Sequence, residues 1–152
     1  MSAFGIEIDR KCVCLFNHGE TKETALDHLV EAIAKTGAVT DANALRDAIR
    51  ERENVRSTGI GSGVAIPHVR IDSMRRPILG VGVSKDGVAF DSVDGKPARV
   101  IVLFAMPTDS NKLYLRLLAQ VMVALKVPNF AERLTAASTE DEVLALLNES
   151  GG

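Results

Sequence analysis

Long hydrophobic runs are missing from this chain of 152 residues, and so is any excess of positive charge. No stretch approaches the roughly 20 apolar residues of a membrane helix, so no transmembrane segment is expected. The N-terminus lacks the basic, apolar and small-residue succession of a secretory signal. Both absences point to a cytoplasmic protein. Lys and Arg number 18 against 20 Asp and Glu, a formal net charge of −2 with the signs interspersed. That balance leaves no electrostatic footprint for nucleic acid or an anionic membrane surface.

Cysteine is scarce as well. Cys12 and Cys14 are the only two, and a strand over residues 11–16 puts both on one face. Neighbours along one strand seldom meet the geometry of a disulfide. His18 follows closely, but no second cluster supplies the remaining ligand of a zinc site. The cysteines are read as small buried hydrophobes, and no metal is expected.

The length suits one domain with a core of its own. Leu26, Leu29, Val30 and Ile33 recur at helical spacing over residues 22–36, with Thr21 as cap and Gly37 as stop. A second helix is predicted from Thr40 or Asp41 to Glu53, with Leu45, Ala48 and Ile49 as its apolar stripe. One more step along that stripe lands on Arg52, an arginine at the end of a buried face.

Strands are predicted over 64–67, 77–84 and 99–106, the last apolar on both faces as in a sheet covered on two sides. Turns are read at 85–87 and 94–97. Helices follow over 111–126, with Leu113, Leu117, Leu118, Val121 and Leu125 inward, and over 139–148 after a short segment at 130–134. Ser138 with Asp141 resembles a capping box. The class is α/β, a mixed central sheet flanked by helices on both faces.

Between the second helix and the next strand runs Ser57-Thr58-Gly59-Ile60-Gly61-Ser62-Gly63-Val64-Ala65-Ile66-Pro67-His68. Glycines let a backbone with free N–H groups approach an anion. Pro67 restricts the direction in which the chain delivers His68. The other two histidines have plainer settings: His18 falls in a turn, and His28 lies on the polar side of the first helix. The loop is not a P-loop, because no Lys-Ser or Lys-Thr follows its last glycine. Nor is it a dinucleotide fingerprint, because the glycines are wrongly spaced. Asp72 and Asp91 are candidates for orienting an imidazole base, and spacing assigns neither. What remains is a phosphohistidine site, in which neutral imidazole is the nucleophile and N–H groups and a guanidinium hold the phosphoryl oxygens.

The run from Ser57 to His68 strongly resembles the phosphorylation motif of enzyme IIA domains of the fructose/mannitol class. These belong to the bacterial phosphoenolpyruvate:sugar phosphotransferase system and include the nitrogen-related regulatory IIA proteins. Thr21-Lys22-Glu23-Thr24-Ala25-Leu26, Arg52-Glu53-Asn54, residues 99–106 and Leu115-Arg116-Leu117-Leu118-Ala119 are similar to further family segments, so the resemblance covers nearly the whole chain. It implies one domain over residues 1–152. It also implies that His68 takes a phosphoryl group from the histidine phosphocarrier protein and that Arg52 stabilises it. Ser57, Thr58, Gly59, Gly61, Ser62 and Gly63 would then surround the phosphate, with no cofactor beyond the covalent phosphoryl group on His68.

Two departures stand out. Val69 follows the histidine where the family favours a small residue. Tyr114 occupies the position of a second histidine found in many members, and a phenol donates a hydrogen bond but carries no imidazolium charge. Three readings follow. The first is a free-standing regulatory IIA protein whose partner choice depends on phosphorylation. The second is a transport IIA that relays phosphate to the IIB domain of a sugar or sugar-alcohol permease. The third is a binding module that has lost transfer.

Overall fold

The computed structural model describes residues 2–3, 6–16, 19–55, 59–61, 63–127 and 129–151. In chain order these form β1 (Ser2–Ala3), β2 (Ile6–Glu7), a 3-10 turn (Arg10–Cys12), β3 (Val13–Leu15), α1 (Lys22–Lys35) and α2 (Ala42–Val55). Then come β4 (Gly59–Gly61), β5 (Val64–Ala65), β6 (His68–Arg70), β7 (Ile78–Val88) and β8 (Ala98–Met106). The helices α3 (Asn111–Lys126), α4 (Phe130–Ala136) and α5 (Glu140–Gly151) complete the order.

The main sheet runs β3-β7-β8-β5-β4, with β6 also paired to β8. It is mixed: β3 lies parallel to β7, β7 antiparallel to β8, and both β5 and β6 parallel to β8. Alternate residues of the two long strands pack on opposite faces, as the two-residue period requires. Leu79, Val81, Val83, Val100, Val102 and Phe104 meet the core under α3, α4 and α5. Ile78, Ile101, Leu103 and Ala105 meet the core under α1 and α2. Strands apolar on both sides are therefore what this sheet needs.

Local chemistry sets the helix ends. Thr21 Oγ1 accepts from Thr24 N–H at 3.1 Å while Thr24 Oγ1 accepts from Thr21 N–H at 2.9 Å, a reciprocal capping box. Gly37, at φ +77°, ends the run after α1 by donating to Ala34 O. At α5 the expected cap is displaced by one residue. Thr139 Oγ1 accepts from Glu142 N–H, and Glu142 Oε2 accepts from Ser138 N–H, so Thr139 and Glu142 take the roles assigned to Ser138 and Asp141.

Three other boundaries differ from the sequence reading. The strand expected over 11–16 is only Val13–Leu15, because Asp9 caps a 3-10 turn by accepting from Lys11 N–H at 2.9 Å. Cys12 and Cys14 thus belong to different elements rather than one strand face. The turn expected at 85–87 is absorbed into β7, which shifts register between Val83 and Val88 around Gly87 at φ +86°. The strand expected over 64–67 ends at Ala65, and His68 opens a new one instead of closing the old.

Candidate functional site: the His68 cleft

β5 and β6 run beside β8 at different heights. Val64 and Ala65 lie opposite Val100 and Ile101, whereas His68, Val69 and Arg70 lie opposite Phe104, Ala105 and Met106. Between the two strands, Pro67 O accepts from Phe104 N–H at 2.9 Å. The carbonyl of Ile66 turns to the imidazole instead, and His68 Nδ1 stands 2.7 Å from it. A carbonyl oxygen only accepts, so Nδ1 carries the ring proton. In the neutral ring the lone pair is then on Nε2.

The ring opens into a cleft of about 620 Å³. α2 lines it with Ala48, Glu51 and Arg52, β6 with His68, Val69 and Arg70, and α3 with Tyr114. Arg52 arrives there for the reason legible in its helix: Leu45 and Ile49 are buried, and the same stripe carries Arg52 to the rim. The last turn of α2 is fastened by Glu53, a buried carboxylate whose Oε2 lies 2.9 Å from Lys22 Nζ at the start of α1.

Burial pushes the His68 imidazole below its ordinary 6.5, and the positive charges of Arg52 and Arg70 push the same way. The Ile66 hydrogen bond and the Glu53 charge act in opposition. The result is a neutral ring at neutral pH with a free Nε2 and guanidinium groups in reach of anything anionic bound there. That is the state a nitrogen nucleophile needs.

Tyr114 lies against this ring. The His68 and Tyr114 centroids are 5.3 Å apart at 62°, an edge contact. Burial raises the phenol above its ordinary 10.0, so it stays protonated.

Other expected residues are elsewhere. Gly63 O accepts from Arg99 N–H and Val100 N–H, at the start of β8. His68 faces Phe104, about 13 Å further along at ~3.3 Å per residue. Gly61 and Gly63, at φ +91° and +79°, therefore shape the far end of the antiparallel β4–β5 pair and are not brought to the cleft. Gly59 pairs with Ala65, closer to the histidine, and its missing side chain admits Ser92, whose Cα would stand 2.9 Å from a Cβ. Ser57, Thr58, Ser62 and His18 lie outside the described residues.

Neither carboxylate weighed as an orienting group holds His68. Asp72 accepts from Thr108 Oγ1 at 2.8 Å, and Asp91 lines a separate cleft with Lys22 and Arg50. The group that orients the ring is a main-chain carbonyl, which no side-chain pattern announces. Arg70 was also missed. Its signal is the two-residue period, which places it on the same face of β6 as His68. His28 is exposed, with Nε2 3.7 Å from Glu20 Oε1. Among the described residues, no three His, Cys, Asp or Glu side chains gather as a metal site, and no helix is long and apolar enough to cross a membrane.

Residues 8–150 match the family described as phosphoenolpyruvate-dependent sugar phosphotransferase system, EIIA 2. The chain belongs to this family. It is 35% identical over 128 residues to the fructose-specific EIIABC component of Bacillus subtilis, a match covering 84% of this chain and 20% of that protein. It is 30% identical over 145 residues to the nitrogen regulatory protein of Klebsiella oxytoca, covering 95% of this chain and 89% of the relative. The fold is that of the nitrogen regulatory protein IIA-Ntr of Neisseria meningitidis, with a TM-score of 0.84 at 24% identity, over 92% of this chain and 95% of the other. The EIIA 2 match and this likeness bear out the mixed α/β architecture. Both regulatory and sugar-specific relatives stand beside the chain, so both main readings of its sequence fit.

Proposed function

We propose that His68 is the phosphoryl acceptor of this IIA protein and that the phosphorylated histidine phosphocarrier protein is its donor. The observation that carries the reading is the Ile66 carbonyl on Nδ1, which leaves Nε2 as the nucleophilic atom facing the cleft. The Nε2 lone pair forms the new N–P bond as the donor's own N–P bond breaks. The released electron pair stays on the donor imidazole. Nδ1–H continues to donate to Ile66 O, and that carbonyl oxygen steadies the positive charge that the attacked ring develops. Arg52 balances charge on the phosphoryl oxygens. Such a relay needs no cofactor beyond the covalent phosphoryl group, and it acts as a single domain in the cytoplasm.

The role is regulatory in this reading: a neutral ring becomes a multiply charged group at the rim of an open cleft, which changes the surface offered to a target protein. Similarity to a nitrogen regulatory protein over 95% of the chain supports it. The second reading, relay to a IIB domain for a sugar or sugar alcohol, is favoured by the 35% identity to a fructose-specific component. Intact mass after incubation with phosphoenolpyruvate, enzyme I and carrier tests both. A phosphoryl adduct absent from His68→Ala is expected. Its onward transfer to a IIB domain decides for transport, and no adduct on the unaltered chain leaves the binding module.

A further inference from the structure

The cleft holds a second guanidinium that neither the motif nor the acceptor reading uses. Arg70 lies two residues after His68 on β6, so both side chains leave the same face, about 7 Å apart along the strand. Both line the cleft. An exposed arginine on a short strand ordinarily wanders, and this one is held twice. Its guanidinium carbon sits 5.1 Å from the centroid of the Tyr114 ring. Its Nη1 donates to Asn111 Oδ1 at 2.5 Å, on the first turn of α3. The same Tyr114 ring meets the edge of His68. One aromatic ring therefore touches both the imidazole and the cation beside it.

We propose that Arg70 is a second phosphoryl-binding guanidinium of this site and that Tyr114 is the platform that positions it. The inference rests on His68 being the acceptor. One of the five N–H donors of Arg70 is engaged by Asn111, and the rest are directed by a planar fork suited to phosphoryl oxygens. Stacking on an aromatic face fixes the plane of that fork without consuming a donor. Arg52 comes from α2 and Arg70 from β6, so the two cations approach a group on Nε2 from different elements. The ring of Tyr114 matters here and its hydroxyl does not, which separates this role from that of a phenol donating to phosphate.

The test uses the intact protein and phosphoramidate, a small donor that removes carrier docking from the measurement. Nε2 attacks phosphorus, the P–N bond of phosphoramidate breaks, and ammonia leaves with the bonding pair. Arg70→Ala is expected to slow labelling of His68 roughly tenfold, the low end for a charged hydrogen bond because the site is open. Arg70→Lys recovers part of that loss. Tyr114→Ala shifts toward Arg70→Ala, and Tyr114→Phe, which keeps the ring, retains more of the rate than Tyr114→Ala does. In the phosphorylated protein, the ³¹P titration midpoint of the phosphoryl group rises in Arg70→Ala, because a neighbouring cation favours the dianion. A merely structural Arg70 would not move that midpoint. Unchanged labelling and an unchanged midpoint in Arg70→Ala overturn the role of Arg70 and leave the acceptor standing. Loss of labelling in Tyr114→Phe overturns the platform in favour of the hydroxyl. An unaltered protein that takes no phosphoryl group from phosphoramidate or carrier overturns the acceptor reading and this inference with it.

Discussion

His68 Nδ1 and the carbonyl oxygen of Ile66 are 2.7 Å apart, so the ring is oriented by the main chain two residues before it. Only Pro67 intervenes, and its fixed φ limits how far the carbonyl and the imidazole can part. Side-chain substitutions around the cleft should therefore change the charge felt by the ring more than its direction.

The first prediction concerns protonation. The folded His68 value is lowered from 6.5, chiefly by burial and also by Arg52. Between 6.5 and that lower value the unfolded chain binds more protons than the folded one. The contribution of this group to stability is thus full above 6.5 and falls as pH drops through the window. Ring-proton NMR should give a midpoint below 6.5, and Arg52→Ala should move it upward. A midpoint at or above 6.5 in the native protein would contradict the buried, cation-flanked ring.

Arg52→Ala should also slow phosphoryl transfer from the carrier by about a hundredfold, the scale of losing one preorganised charge-stabilising donor. Rapid-quench measurement of acid-labile phosphate reads the rate, and circular dichroism checks that the fold is kept. Transfer at the unaltered rate would take Arg52 out of the reaction.

Gly63 offers a different contrast. Its φ of +79° disfavours any side chain, while among the described residues a Cβ there would find Arg99 nearest, at 3.9 Å. Gly63→Ala should therefore cost about 1–2 kcal/mol in urea unfolding. Labelling of His68 should stay as it was, since the residue lies at the other end of the strand pair. A large loss of labelling with little loss of stability would return this glycine to the phosphate.

Cys12 is fully buried, and burial pushes its thiol up to about 12. In native buffer it should resist thiol reagents and react at the rate of unfolding. Rapid native labelling of Cys12, followed by peptide mapping, would show that the 3-10 turn opens on its own.

Phe104 fills the centre of the sheet opposite His68 and is fully buried. Phe104→Ala should lower unfolding free energy by about 3–5 kcal/mol, with the denaturant slope unchanged. A loss well under 1 kcal/mol would mean that the core closes over the gap.

What the chain discloses about itself depends on which physical signal each feature leaves. α1 and α3 were legible almost to the residue, because an apolar stripe with a cap or a stop has few other uses. Arg52 was legible because it continues the stripe of Leu45 and Ile49. The glycines were legible as glycines but ambiguous in purpose: a tight strand connection and an anion cradle both demand positive φ, and here Gly61 and Gly63 serve the first. Ile66 O left no trace, since every residue has a carbonyl. The 3-10 turn before β3 went unread because Cys12 and Val13 are as apolar as a strand would be, and only Asp9 marks the turn.

The sheet's edge has a consequence for how the protein is made. Val13, Cys14 and Leu15 have their partners at Val81, Gly82 and Val83. Synthesis at ~5–20 residues per second leaves β3 without its neighbour for on the order of several seconds, while α1, α2 and the segment bearing His68 emerge. Through that interval the earliest strand of the main sheet is an open template for foreign β-pairing, and its brevity, three residues, is what keeps the exposure small.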